Sequence, residues 1–78
     1  MRTVYTAETA LERGRVAGHV IVARRIDNDG TELSNKVVAA FSADIDAADV
    51  DRQAAEMQAG YDRVREYATT SLEVVDER

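Results

Sequence analysis

The chain has 78 residues, a formal net charge of −5, one histidine, no cysteine and no proline. This composition excludes disulfide bonds, thiolate metal sites, a cysteine nucleophile and a site built from several histidines. It predicts one small domain over residues 1–78 with no cofactor, and a cytoplasmic location, because no apolar run resembles a signal peptide or a membrane span.

The first two predicted elements are antiparallel strands over about residues 2–12 and 15–27, joined by a two-residue turn at Arg13–Gly14. Both segments have the alternating or β-branched composition of strands. Glu12 and Arg15 flank the turn with opposite charges. The alternative for this region is a short helix over residues 7–13 that ends at Gly14. The opposed pairs in the hairpin register are Leu11–Val16, Thr9–Gly18, Ala7–Val20 and Tyr5–Val22.

A third strand is predicted over about residues 32–44. Asp29–Gly30 is a favoured pair for a type I′ hairpin turn, which requires positive φ at both central residues. Residues 27–30 also resemble the opening of a calcium loop, but the following residues do not continue that pattern. Both hairpins select one common apolar face, because strand side chains alternate with a period of two. The opposed pairs are Ile26–Leu33, Val22–Val37, Val20–Ala39, Gly18–Phe41 and Val16–Ala43.

The last predicted element is a long helix over about residues 47–70. Asp46 is typical of a helix N-cap, and Ile45 with Val50 would form a hydrophobic staple. Residues 69–76 are compatible with either a frayed helix end or a short fourth strand, in a tail over residues 71–78. The apolar stripe of the helix consists of Val50, Ala54, Met57, Tyr61, Val64 and Ala68. The predicted fold class is therefore α+β, a three-stranded antiparallel meander packed on one amphipathic helix.

This order of strands and helix resembles, in topology, the small antitoxin-like domains of the HicB type. The resemblance implies an inhibitor of a toxin or nuclease. The acidic helix of this chain would then meet a basic partner surface. The chain departs from the pattern of those domains because it has no proline and so lacks their proline–glycine turn.

His19 is the side chain that ordinarily titrates near neutral pH, and the predicted register places it opposite Glu8. A carboxylate beside histidine could hold a general base, so a small enzyme or ligand-binding domain that uses Glu8 and His19 is one alternative. The simpler interpretation is a cross-strand ion pair. The register brings no serine nucleophile near the pair, so the sequence predicts no catalytic residue and no enzyme.

Two charged clusters have similarly simple interpretations. The acids Asp44, Asp46, Asp49 and Asp51 lack the glycine and the closing glutamate of a calcium loop, so helix capping explains them better than a metal site. Arg24 and Arg25 are neighbours on a strand and point to opposite faces, which favours solvated charge over a ligand site.

The predicted outer face of the sheet has a small, apolar centre. Exposed apolar surface of this kind is typical of an interface. The predicted interface residues are Ala17, His19, Ile21, Ala23, Val38 and Ala40. They favour a homodimer or another protein partner.

Charge and composition complete the functional prediction. Residues 44–78 carry ten acidic and four basic side chains, whereas nucleic-acid binding needs basic patches. We therefore expect a non-enzymatic interaction or regulatory protein, without a nucleic-acid or membrane partner. The abundance of arginine and alanine is typical of GC-rich bacteria and their phages, so the chain could be phage-encoded.

Overall fold

The structure is a computed structural model that describes the backbone of residues 1–76 and the side chains of residues 1–66. It confirms the α+β fold: three antiparallel strands form a sheet in the order β1-β2-β3, and one helix packs on one face of that sheet. The elements are β1 (Arg2–Glu12), β2 (Arg15–Ile26), β3 (Glu32–Ser42) and α1 (Ala47–Asp76).

The turn between β1 and β2 confirms the first predicted hairpin. Arg13 and Gly14 have φ angles of 52° and 78°, the pair of positive values that a type I′ turn requires. Leu11 pairs with Val16 as predicted. Residues 7–12 belong to β1, so the alternative helix is not formed.

A bulge at Ala17 then changes the register of this hairpin. Ala10 pairs with Gly18, whereas Leu11 pairs with Val16, so Ala17 is the extra residue of β2. The register beyond the bulge differs by one residue from the prediction. Because side chains alternate, a one-residue shift reverses the face on which each β2 side chain lies.

The second hairpin has a different turn from the predicted type I′ turn. Gly30 has a φ of 89°, but Asp29 is not among the residues with positive φ. The Gly30 amide donates to the carbonyl of Asp27 (3.0 Å), and the Asp27 amide donates to the carbonyl of Thr31 (2.8 Å). This is a three-residue loop in which a tight turn is followed by a left-handed glycine. The longer loop pairs Ile26 with Glu32 and not with Leu33.

A second bulge lies at Val38 in β3. Val22 pairs with Val37 as predicted, but Ile21 pairs with Ala39, which leaves Val38 as the extra residue. Together the two bulges bring Ala7, Ile21 and Ala39 side by side. This row contributes to the core instead of the predicted row centred on Val20.

Gly18 lies where β2 and β3 approach closely. A Cβ atom at this position would be 2.7 Å from the carbonyl oxygen of Phe41. The predicted Gly18–Phe41 pair is wrong, since Gly18 pairs with Ser42 and His19 pairs with Phe41. The glycine is needed because the backbone of β3 occupies the space that a side chain would take.

The helix begins as the sequence predicts. The Asp46 carboxylate accepts from the Ala48 amide (3.0 Å), as an N-cap does. Ile45 packs against the cluster that contains Val50, in agreement with the predicted staple. The helix continues to Asp76, so residues 71–76 extend α1 and the fourth strand considered for this region is wrong. Residues 77–78 of the predicted tail lie outside the described residues. Within the described part, α1 lacks a stretch apolar enough to cross a membrane.

The hydrophobic core is small. Its main cluster consists of the buried residues Ile21, Val50 and Ala54, and Val22 and Ala23 are also buried. Partly buried side chains pack around the cluster: Tyr5, Ala7, Ala39, Phe41 and Ile45. The helix packs chiefly on β1 and, to a lesser extent, on β2. Beyond Ala39 and Phe41, which pack against this cluster, the helix-facing side of β3 is left uncovered by α1 at Val38.

Side chains of α1 also cover the free edge of β1. The Gln58 amide accepts from the Tyr5 backbone amide (2.8 Å) and donates to the Thr3 carbonyl (3.0 Å). The Thr3 amide donates to the Tyr61 hydroxyl (3.2 Å). The Gln58 amide group thus replaces the peptide of a neighbouring strand and satisfies backbone groups that an edge strand otherwise leaves free.

Candidate functional site

The six residues of the predicted interface do not share one exposed face. His19, Ile21 and Ala23 are buried on the side of β2 that faces the helix. Ala17 is exposed at the bulge, and Ala40 is exposed on the opposite face, beside Val20. The premise that all six form an outer apolar face is therefore wrong, and the physical reason is the one-residue shift at each bulge.

Val38 is the sixth residue of that set, and it remains exposed for a different reason. It lies on the helix-facing side of the sheet and lines the same groove as Tyr5 and Met57. Because α1 packs on β1 and β2, Val38 has no helix above it.

Glu8 and His19 are not brought together. His19 pairs with Thr9, and its Nδ1 atom lies 3.3 Å from the Thr9 hydroxyl. Glu8 pairs with Val20 and lies on the outer face of the sheet. The predicted Glu8–His19 contact is wrong, since the two side chains are on opposite faces, and the general-base arrangement based on it is not formed.

Glu8 instead belongs to an ion-pair cluster on the outer face. The Arg24 guanidinium pairs with Glu8 and, at 2.8 Å, with Glu32, and it donates to the Thr6 hydroxyl. The hydrogen bond to Glu8 raises the pKa of Arg24 above its already high ordinary value. This cluster links all three strands. Its charges are satisfied within the sheet, so it has the character of a structural cross-strand contact.

Three of the four acids near the helix start are explained by local contacts. Asp44 accepts from the Ser42 hydroxyl, which lowers the pKa of the Asp44 carboxyl. Asp46 caps the helix, and Asp49 pairs with Arg52 at 3.0 Å. Among the described residues there is no group of three or more histidine and carboxylate side chains that could hold a metal ion.

The most distinctive surface is a groove between α1 and β3, which we call the groove surface. It has a volume of about 530 Å³ and an apolar lining. Val38 forms its floor on the sheet side, and the exposed side chains of Met57 and Val64 form its wall. The full lining consists of Tyr5, Val38, Met57, Gly60, Tyr61 and Val64.

The position of the groove follows from the contacts of Tyr61. The Tyr61 ring packs edge-on against Tyr5, with ring centroids 6.2 Å apart. Its hydroxyl accepts from the Thr3 amide. These contacts, with those of Gln58, hold α1 over the β1 side of the sheet. The wall and the floor of the groove are consequently fixed by the packing of the monomer.

A second, more polar cavity continues the groove along β3. It shares Tyr5 and Val38 with the groove surface and has a volume of about 540 Å³. Its lining includes the cationic side chains of Arg25 and Lys36. The open side of the sheet therefore combines an apolar section with a basic section.

The sequence did not identify the groove surface. It assigned Met57 and Val64 to the stripe that covers the sheet, but both side chains are exposed. The signal that could have identified the groove is Gly60, because a glycine inside a helix costs stability and needs a packing reason.

Comparison with known proteins provides no family for this chain: no family model, curated protein or solved structure matches it. Any functional inference must therefore come from the surfaces described above.

Proposed function

We propose that the chain is a non-enzymatic interaction protein that acts as a homodimer. The observation that carries this proposal is the exposed area of the monomer, 5944 Å² for a mass of 8.6 kDa. A compact monomer of this mass would expose about 4,700 Å². The excess of roughly 1,200 Å² is larger than the roughly 800 Å² that each partner contributes to a standard protein interface.

The dimensions of the chain support the same proposal. Its radius of gyration is 16.1 Å and its long axis measures 58 Å. A compact domain of this length would have a radius of gyration of about 11.5 Å. A thin, elongated monomer with five buried apolar side chains among the described residues gains little from its own core, and oligomerisation is a usual source of stability for domains of this size.

The proposal is tested by measuring absolute mass in solution with light scattering, after size exclusion and across a dilution series. We expect twice the mass of 8.6 kDa at high concentration, and a thermal midpoint that rises with protein concentration, because dimerisation stabilises the folded state by mass action. A monomer with a concentration-independent midpoint would refute the homodimer.

The antitoxin-like alternative has a separate signature. On α1 as far as residue 66, five acidic side chains outnumber three arginines. A partner held by the acidic groups would bind less tightly as salt is added. Salt-insensitive self-association would favour the homodimer, and a monomer that binds a basic protein in a salt-sensitive manner would favour the alternative.

A further inference from the structure

The helix is too narrow to cover the sheet alone. A helix with its side chains is about 10 Å across, and adjacent strands are about 4.8 Å apart, so one helix covers about two strands. In this structure those strands are β1 and β2. The helix-facing side of β3 forms the floor of the groove surface, where Val38 is exposed.

Gly60 opens the wall of this groove. A Cβ atom at Gly60 would meet nothing within 4 Å. Met57 and Val64 lie three residues before it and four residues after it, so all three occupy one side of the helix. A glycine between two larger apolar residues allows a second helix to approach closely. Because mid-helix glycine costs about 1 kcal/mol relative to alanine, such an approach gives a reason for its presence.

The charge around the groove favours one kind of occupant. The cavity that continues the groove is lined by Arg25 and Lys36, so an amphipathic helix with acidic flanks would be complementary to this side of the sheet. The chain itself carries such a helix, since α1 combines an apolar stripe with an excess of acidic residues.

We infer that the groove surface binds α1 of a second copy of this chain, with the two α1 helices crossing at Gly60 about a two-fold axis. This inference rests on the proposed homodimer and specifies its contact. Packed helices have axes 8–10 Å apart, which equals about two strand spacings. A partner helix at that distance from α1 lies over β3 and covers Val38. The contact is isologous, so Met57 and Val64 of each copy are buried by the other.

The first test compares two glutamate variants with matched exposure. Val64 is 68% exposed and Leu11, at the distant hairpin tip, is 66% exposed, so neither substitution should unfold the monomer. Val64→Glu buries an uncompensated charge at the helix crossing. We expect its dimer dissociation constant to rise by about 100-fold or more, whereas Leu11→Glu should change the constant by less than about threefold. Sedimentation or light scattering across a dilution series measures both.

The second test separates dimer contact from helix stability. Gly60→Ala improves helix propensity and meets no neighbouring atom in the monomer, so it should raise the stability of the monomer. At a helix crossing the same methyl group holds the helices apart, so the dimer should weaken. Gly60→Leu should weaken it further, and Ala59→Leu, on the exposed side of the helix, is the matched control. Circular dichroism verifies that each variant remains folded.

The outcomes distinguish the inference from the proposed function. A wild-type monomer at every concentration overturns both. A wild-type dimer whose dissociation constant is unchanged in both Val64→Glu and Gly60→Leu overturns the inference and leaves the homodimer intact. Loss of the dimer in Leu11→Glu would place the contact at the hairpin tip and would also overturn the inference. Should Val64→Glu fail to fold, Met57→Gln replaces it, with the same expected direction.

Discussion

Gln58 provides a quantitative test of how the helix is held on the sheet. Its side-chain amide satisfies the Tyr5 amide at 2.8 Å and the Thr3 carbonyl at 3.0 Å. Gln58→Ala removes both hydrogen bonds to β1, each with a net contribution of about 0.5–1.5 kcal/mol. It also removes an exposed hydrogen bond from Gln58 to the Asp62 carboxylate (3.2 Å), which should contribute little. The expected loss in the free energy of unfolding is therefore about 1–3 kcal/mol. For a domain of this size, a loss of about 2 kcal/mol lowers the thermal midpoint by roughly 8–16 °C.

The assay is urea and thermal unfolding by circular dichroism at one fixed protein concentration. Gln53→Ala is the matched control, because Gln53 is a partly buried glutamine on the same helix whose side chain makes no hydrogen bond within the described residues 1–66. We expect this control to change the free energy of unfolding by less than about 0.5 kcal/mol. Hydrogen exchange adds a local measurement: the Tyr5 amide should lose protection in Gln58→Ala and retain it in Gln53→Ala.

Gln58→Glu divides the interaction into its two halves. The carboxylate can still accept from the Tyr5 amide, but it cannot donate to the Thr3 carbonyl, so part of the stability should be lost. If Gln58→Ala unfolds within about 0.5 kcal/mol of the wild type and the Tyr5 amide stays protected, the edge-covering role of Gln58 would be refuted.

Three further predictions concern the sheet, the helix start and the turns. Gly18→Ala should destabilise the fold by about 1–3 kcal/mol, because its Cβ would be 2.7 Å from the Phe41 carbonyl oxygen; urea unfolding at wild-type midpoint would contradict this. Asp46→Ala should cost about 0.5–2 kcal/mol through loss of the N-cap, measured by the same assay, and Asp46→Asn should retain most of it. Backbone hydrogen bonding by Thr31 lowers the pKa of Asp29, and the Ser42 hydroxyl lowers the pKa of Asp44. Both carboxyl groups should therefore titrate by NMR below the unfolded value of about 3.9, and a midpoint at or above that value would contradict the hydrogen bonds. A lowered folded-state pKa contributes stability above the unfolded value, and this stability is lost as the pH falls through the folded value.

The proposed dimer gives the exposed residues of α1 a common explanation. Met57 and Val64 continue the apolar stripe of the helix, yet both remain exposed in the wall of the groove surface. An apolar stripe that covers more of the helix surface than contact with one sheet can bury is expected when a helix has two packing partners. On this interpretation, the first part of the stripe, with Val50 and Ala54, belongs to the monomer, and Met57 with Val64 belongs to the homodimer.

The candidate site shows where reasoning from the sequence alone reaches its limit. The predicted interface required Ile21 to lie on the outer face, but Ile21 is fully buried beneath α1. The sequence around it reads Val20-Ile21-Val22, and β3 contains Val37-Val38-Ala39-Ala40. Consecutive apolar residues do not indicate which side of a strand faces the core, because both alternating sets are apolar.

What the sequence alone determined is the set of local structures. The positive-φ turn at Arg13–Gly14, the three strands, and the helix that begins after Asp46 all follow from short-range chemistry. Only the tertiary structure decided which face of β2 meets the helix, whereas β1 and the Ala39–Phe41 part of β3 meet the core on the predicted side. The bulges lie at Ala17 in β2 and at Val38 in β3. Each bulge shifts the register by one residue, and in a structure with a period of two that shift exchanges the inside and the outside of the sheet.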